Sequence, residues 1–204
     1  YSFWSVRSMA YFRKFRLPIR IYQLRIELTK IDPTIWRTLL VPDTIKLSKL
    51  DRVIQASFGW TNSHLHEFNI GTKRYGMINA AQDHEWDDEN PLLDERKFTL
   101  GMLLSDNVHE FEYDYDFGDG WCHIVKVERH LPTNQTNYWP MCIAGENACP
   151  PEDVGGPSGY TEFIDILNDP THDQHAELFH WVGGPFDPRS FDVNSANARI
   201  GRIR

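Results

Sequence analysis

The hydrophobic period changes from two to 3.6 and back to two within the first eighty residues, and few folds accept that order. Residues 19–29, IRIYQLRIELT, alternate as a half-buried strand. Asp32-Pro33 predicts a turn, and residues 34–41, TIWRTLLV, the return strand. Leu47, Leu50, Val53, Ile54 and Phe58 then recur at helical spacing. Ser48 with Asp51 three residues on reads as the helix's capping signal, and Gly59 as its stop. HEFNIG and KRYGM predict a second hairpin turning at Gly71-Thr72. The expectation is an α+β fold: a mixed or antiparallel sheet with a β-grasp-like strand–strand–helix–strand–strand start, an added hairpin and a helical C-terminal part.

The added hairpin comes from residues 110–117 and 121–129 around Gly118-Asp119-Gly120, whose glycines supply the positive φ of a tight turn. Alternation places Tyr113, Tyr115 and Phe117 on one face, and Asp114 and Asp116 on the other. Residues 82–95 hold seven acids and a proline and read as a loop, either solvated or cation-binding. Residues 98–104 predict a short helix or turn. The Pro/Gly-rich residues 142–160 predict a rigid irregular loop. Tyr160, Phe163, Ile164 and Leu167 then form a helical stripe. Thr171 with Gln174 predicts the cap of a helix reaching Trp181, and Asp192 the start of a short last one.

Charge divides the chain. Six of its 21 basic residues precede the first acid, Glu27, so the remainder sets 15 basic side chains against 29 acidic ones. An acidic body repels phosphate backbones, which leaves only the basic leader, residues 1–20, as a nucleic-acid contact. That leader is expected to be flexible. One domain is expected over residues 21–204. Tyr1 is not an initiator, so Met9 reads as the natural start and residues 1–8 as an extension. No run approaches the ~18 apolar residues that cross a bilayer. Cys122, Cys142 and Cys149 make no disulfide framework, and the expected location is cytoplasmic.

Candidate chemistry gathers in two short stretches. His64 and His66, two apart in SHLHEF, would share one face of a strand. With Asp119 and His123 from DYDFGDGWCH they form a possible ligand set for a divalent metal. Asp116 or Glu152 would then serve as general base of a metal-dependent hydrolase acting on a phosphoester or amide. The plainer readings are core-edge histidines and a hairpin turn. Cys149 stands beside Glu152 and Asp153, and carboxylates oppose thiolate formation, so cysteine catalysis is not expected. His172 and His175 lack the His-Glu-x-x-His pattern of a zinc protease and read as a solvated helix face.

The blocks IYQLRIEL, PTIWRTLLVP, LDRVIQASFGW, YDYDFGDGWCHIVKVE, CIAGENACPPEDVGGPSGY and FDPRSFDVNSANARI, in order from Ile21 to Ile200, resemble the plasmid pRiA ORF-3-like family, also labelled TnpR-like. The resemblance implies an α+β domain carried on plasmids, mobile elements and prokaryotic chromosomes, without an established activity. In relatives a second cysteine stands where this chain has Val154, and an acid where it has Cys122, so a paired-cysteine site does not carry over. A serine or tyrosine recombinase needs arginines around its nucleophile, and no Ser or Tyr here has such a cluster. The leading expectation is therefore a non-catalytic binding or accessory module working through a protein partner, with the metal-dependent hydrolase as the alternative.

Overall fold

The computed structural model describes residues 19–78, 89–104, 108–132 and 138–203. Most of the leader and the first half of the acidic stretch, residues 82–88, therefore lie outside the described residues. In chain order the elements are β1 (Arg20–Leu28), β2 (Trp36–Pro42), α1 (Leu47–Phe58), β3 (His66–Ile70), β4 (Lys73–Gly76), β5 (Leu92–Asp94), a 3-10 turn (Glu95–Lys97), α2 (Leu100–Leu103), β6 (Glu110–Tyr115), β7 (Trp121–Pro132), β8 (Met141–Glu146), α3 (Gly156–Asn168), α4 (His175–Trp181) and α5 (Val193–Ile200). Among the described residues the strands form one sheet in the order β5-β4-β3-β6-β7-β1-β2-β8. The α+β start is as the periodicity predicts, and the β6–β7 hairpin lies between the two early hairpins and joins them.

Period two explains β1. Tyr22, Leu24, Ile26 and Leu28 are buried, while Gln23, Arg25 and Glu27 alternate with them half-buried. On that second face Glu27 accepts from Arg25 and Lys126, both at 2.6 Å. Helix α1 covers the apolar face with Leu47, Leu50, Val53, Ile54 and Phe58, all buried. Gly59 ends it at φ 111°, the left-handed conformation that favours glycine. Two arginines hold its last carbonyls: Arg37 Nε donates to Ser57 O at 3.1 Å and Arg199 Nε to Ala56 O at 2.7 Å. Cations at a helix C-terminus also oppose its dipole.

Several expectations change. Ser48 is not the cap of α1; Lys46 takes that position without a side-chain bond, because Asp51 is turned inward to accept from the Tyr113 hydroxyl. Residues 92–94, expected as loop, pair in parallel with β4. Residues 142–146, also expected as loop, belong to the outer strand β8, which pairs with β2. Its free edge is partly covered by a side chain: Asn197 Nδ2 donates to Cys142 O at 2.8 Å, and Asn197 Oδ1 accepts from Cys142 N at 2.9 Å. One amide thus imitates a neighbouring strand and blunts the edge. Asp192 does cap α5, accepting from Asn194 N. Gln174, not Thr171, precedes α4, and Thr171 bonds Asp169 instead. Among the described residues no helix is long and apolar enough to cross a membrane.

Candidate functional site

Three loops meet at the end of the sheet where the β6–β7 turn lies. The first, between α1 and β3, carries His64. The second is the hairpin turn itself, and the third is the segment before α3. Glu152 ties them together. Its Oε1 accepts from Thr61 N at 2.8 Å and Thr61 Oγ1 at 3.0 Å, and both its oxygens lie 3.1 Å from the Tyr115 hydroxyl that donates to it. The same hydroxyl accepts from Ser63 N. Burial first, then the charge of Glu152, pushes the Tyr115 phenol well above its ordinary pKa, so it remains a donor at neutral pH.

Asp119 fixes the other side. Its Oδ2 accepts from Gly155 N at 3.1 Å. Directly after it in space comes Gly156, at φ 70°, where an added Cβ would stand 2.3 Å from Asp119 O. Only glycine allows the loop that close to the hairpin.

In this frame Asp116 takes φ 53° and Asp153 φ 58°. Both carboxylates therefore ride on left-handed backbone, a cost met most often at functional sites. Asp116 Oδ1 is occupied by the turn, accepting from Gly118 N at 3.0 Å and Asp119 N at 3.3 Å. Its Oδ2 faces His64 Nε2 at 3.6 Å, and Asp153 Oδ1 lies 3.0 Å from the same nitrogen. That nitrogen is screened from water and has no hydrogen bond of adequate angle among the described residues. The ligand atoms of His64, Asp116 and Asp153 all lie within 4.8 Å of one another.

The residues marked from sequence divide. His64 and Asp116 enter this cluster, while Asp119 and Glu152 frame it by holding backbone. His66 does not face the way His64 does, because β3 begins at His66 and the alternation stops there. It is buried under α1, its Nε2 2.7 Å from Glu95 Oε2 and its Nδ1 3.3 Å from Asp51 Oδ1. His123 is wholly buried, between the rings of Phe58, Trp60 and Tyr113, with Nδ1 3.0 Å from Tyr113 O. Phe117 departs from Tyr113 and Tyr115, since the left-handed turn at Asp116 swings it out to 59% exposure. His172 and His175 lie at α4, the first bonded to Gln174 N and the second stacked on Phe179. Asp153 was missed from sequence. The signal available was its place after Glu152 in a loop that glycine bends back on the hairpin.

Burial pushes the His123 imidazole down to about 4, outweighing its bonds to backbone. A depressed histidine contributes stability above its unfolded value near 6.5 and loses it as pH falls toward 4. Between pH 7 and pH 4.5 this one group is expected to remove about 2–3 kcal/mol. Urea unfolding at both pH values should show that loss in the wild type and a correspondingly smaller one in His123→Phe. Equal losses in the two would refute the assignment.

All three thiols are held protonated. Burial pushes Cys149 far up and raises Cys142, and burial with Asp114 pushes Cys122 to about 11. None is poised as a nucleophile at neutral pH.

The family model of plasmid pRiA4b ORF-3-like protein matches residues 20–195. The chain belongs to this family. It is 41% identical over 183 residues to the uncharacterized protein y4hQ of Sinorhizobium fredii, covering 90% of this chain and 88% of that one. It is also similar to the crystal structure of the protein of unknown function MM3350 from Methanosarcina mazei Go1, with a TM-score of 0.77 at 33% identity over 87% of this chain and 98% of the other. For this pRiA4b ORF-3-like chain the family match runs from β1 through α4 and ends at the start of α5.

Proposed function

We propose that this pRiA4b ORF-3-like protein is a cation-dependent binding module, in which His64, Asp116 and Asp153 hold one divalent ion and so fix a surface for a protein partner. The observation that carries this reading is His64 Nε2: a screened nitrogen, without a hydrogen bond, between two carboxylates on strained backbone. One imidazole and two carboxylates suit zinc or manganese, and the remaining positions stay open to water or a ligand oxygen.

Binding is favoured over hydrolysis by the state of the candidate bases. Glu152 has both oxygens engaged by Tyr115 and Thr61. Asp116 has one oxygen in the turn, and the other faces the cluster, where the proposed ion would take it. Neither carboxylate is left to take a proton from an attacking water.

Calorimetric titration of chelator-treated protein with zinc or manganese should give about one equivalent. A hundredfold excess over the dissociation constant should raise the unfolding free energy by about 2.7 kcal/mol. Asp116→Asn keeps the acceptor that closes the turn, and Asp153→Asn removes only a charge at an exposed loop. Each should weaken the ion at least tenfold, and His172→Ala should not. Absence of binding, or binding indifferent to both asparagine variants, would end the proposal.

A further inference from the structure

The cation cluster opens onto a groove whose chemistry describes the partner. Asp153 belongs to both. From it a cavity of about 430 Å³ runs between α3 and α4, floored by Val154, Phe163, Ile166, Leu178 and Trp181. Trp181 packs edge-on against Phe163 at 5.8 Å yet remains 46% exposed. Helix α4 has no buried residue at all, so its inner face is only lightly covered by the chain itself. Apolar side chains left at a groove in this way are ready to bury area against another molecule.

The rim is of one sign. Asp153, Glu162 and Glu177 border the groove, and among the described residues no lysine or arginine lines it. Among the described residues neither Glu162 nor Glu177 has an ion-pair partner, whereas Glu27, Glu67 and Asp94 elsewhere on the surface each have one. An apolar floor between unpaired carboxylates repels phosphate and sulfate. It complements a peptide in which bulky apolar side chains alternate with lysine or arginine. Such a ligand places its cations on Glu162 and Glu177 and its apolar groups on Phe163, Ile166 and Trp181. At the Asp153 end a peptide carbonyl oxygen can take an open position on the ion.

We infer that the α3–α4 groove docks a basic–apolar peptide segment of a partner protein, with one peptide carbonyl completing the coordination of the ion. The share assigned to the ion rests on the proposed function above; the groove itself does not. Charge complementarity selects the partner's chemistry, and the same chemistry occurs in this chain as residues 13–17, Arg-Lys-Phe-Arg-Leu. That pentapeptide, acetylated, amidated and labelled with fluorescein, is therefore a fair probe.

Fluorescence anisotropy of the full chain with this probe in manganese should show saturable binding that weakens with salt. The double variant Glu162→Lys/Glu177→Lys should lose at least tenfold in affinity, and Trp181→Ala several-fold. A control peptide with glutamates in place of the basic residues should not bind. Chelator, or Asp116→Asn, should weaken the probe several-fold without abolishing it. Equal affinity with and without chelator overturns the carbonyl-to-ion contact and leaves the groove standing. Binding that survives both charge reversals and Trp181→Ala overturns the groove, whatever the cation titration gives. A chain beginning at Ile19 keeps every described element and lacks residues 13–17. Tighter probe binding to it supports the groove and identifies the chain's own leader as an occupant. No binding to either chain overturns the inference.

Discussion

Arg37→Met is expected to lower the unfolding free energy by about 3–5 kcal/mol, the range for breaking a buried charged network. Arg37 is 1% exposed and no carboxylate pairs with it among the described residues. Its guanidinium instead donates to four backbone carbonyls: Trp36 O at 2.7 Å, Ser57 O at 3.1 Å, and Glu146 O and Asn147 O at 2.8 Å. Phe58 and Phe191 flank it, with ring centroids 5.0 and 4.1 Å from the guanidinium carbon. One side chain thus joins the end of α1, strand β2 and the exit of β8. Burial draws its pKa down to about 10, which leaves it charged at neutral pH.

Methionine fills much of the volume but leaves those carbonyls short of a donor, at about 1–3 kcal/mol for each that finds no water. Lysine should rescue little, because a single ammonium cannot fork to four acceptors in a plane. Chemical denaturation of the three proteins decides the matter. A loss under about 1 kcal/mol for Arg37→Met would mean that water replaces the guanidinium, and the joint would not be structural.

The second large effect is expected at His66. Its imidazole lies between Asp51 and Glu95, and Tyr113, bonded to Gln55, donates to Asp51 at 2.7 Å. All five side chains are buried. His66→Leu leaves two buried carboxylates without their imidazole partner and should cost about 3–5 kcal/mol at pH 7.5.

The pH dependence carries a definite sign. Burial alone pushes His66 down, but the bond to Glu95 and the charges of Asp51 and Glu95 together raise it above its ordinary value. Asp51 is raised to about 6, because burial outweighs the attraction of His66. Both groups hold protons more tightly folded than unfolded. Their contribution is therefore greatest at acid pH. It falls as pH rises through 4 to 6 for Asp51, and again as pH passes the raised value of His66.

In His66→Leu only the carboxylate part remains, so the variant should recover stability relative to its own value at pH 7.5 when taken to pH 5. Unfolding curves at pH 5, 6.5 and 7.5 test this. A variant with little loss at pH 7.5, or one that does not recover stability between pH 7.5 and pH 5, would show that the network does not hold the proton there. His123 has the opposite sign, and the His123→Phe comparison keeps the two histidines apart.

These three side chains show how far the sequence reaches. Tyr22, Leu24, Ile26 and Leu28 state their strand by alternation, and Leu47 to Phe58 their helix by stripe, because local period follows directly from backbone geometry. Gly59 and Asp192 were legible as helix ends for the same reason. Asp51 was not: next to Ser48 it has the spacing of a cap, and only the sheet beneath α1 turns it inward toward Tyr113 and His66. Strand β8 was hidden by glycine and proline around Met141–Glu146, since its pairing is with β2, a hundred residues earlier.

The same division holds for the candidate site. The sequence by itself determined the two early hairpins, helix α1, the β6–β7 hairpin with its tight turn at Gly120, and the presence of ligand-type residues in SHLHEF and DYDFGDGWCH. Only the tertiary structure decided which of them meet. His64 and His66 lie two residues apart yet part company, because the strand begins between them. Asp116 and Asp153 lie 37 residues apart in number yet both face His64 Nε2. Glycine at 156 and the bonds of Asp119 and Glu152 bring the loops into contact. Long-range approach of that kind is set by packing and by backbone hydrogen bonds, and neither leaves a period in the sequence.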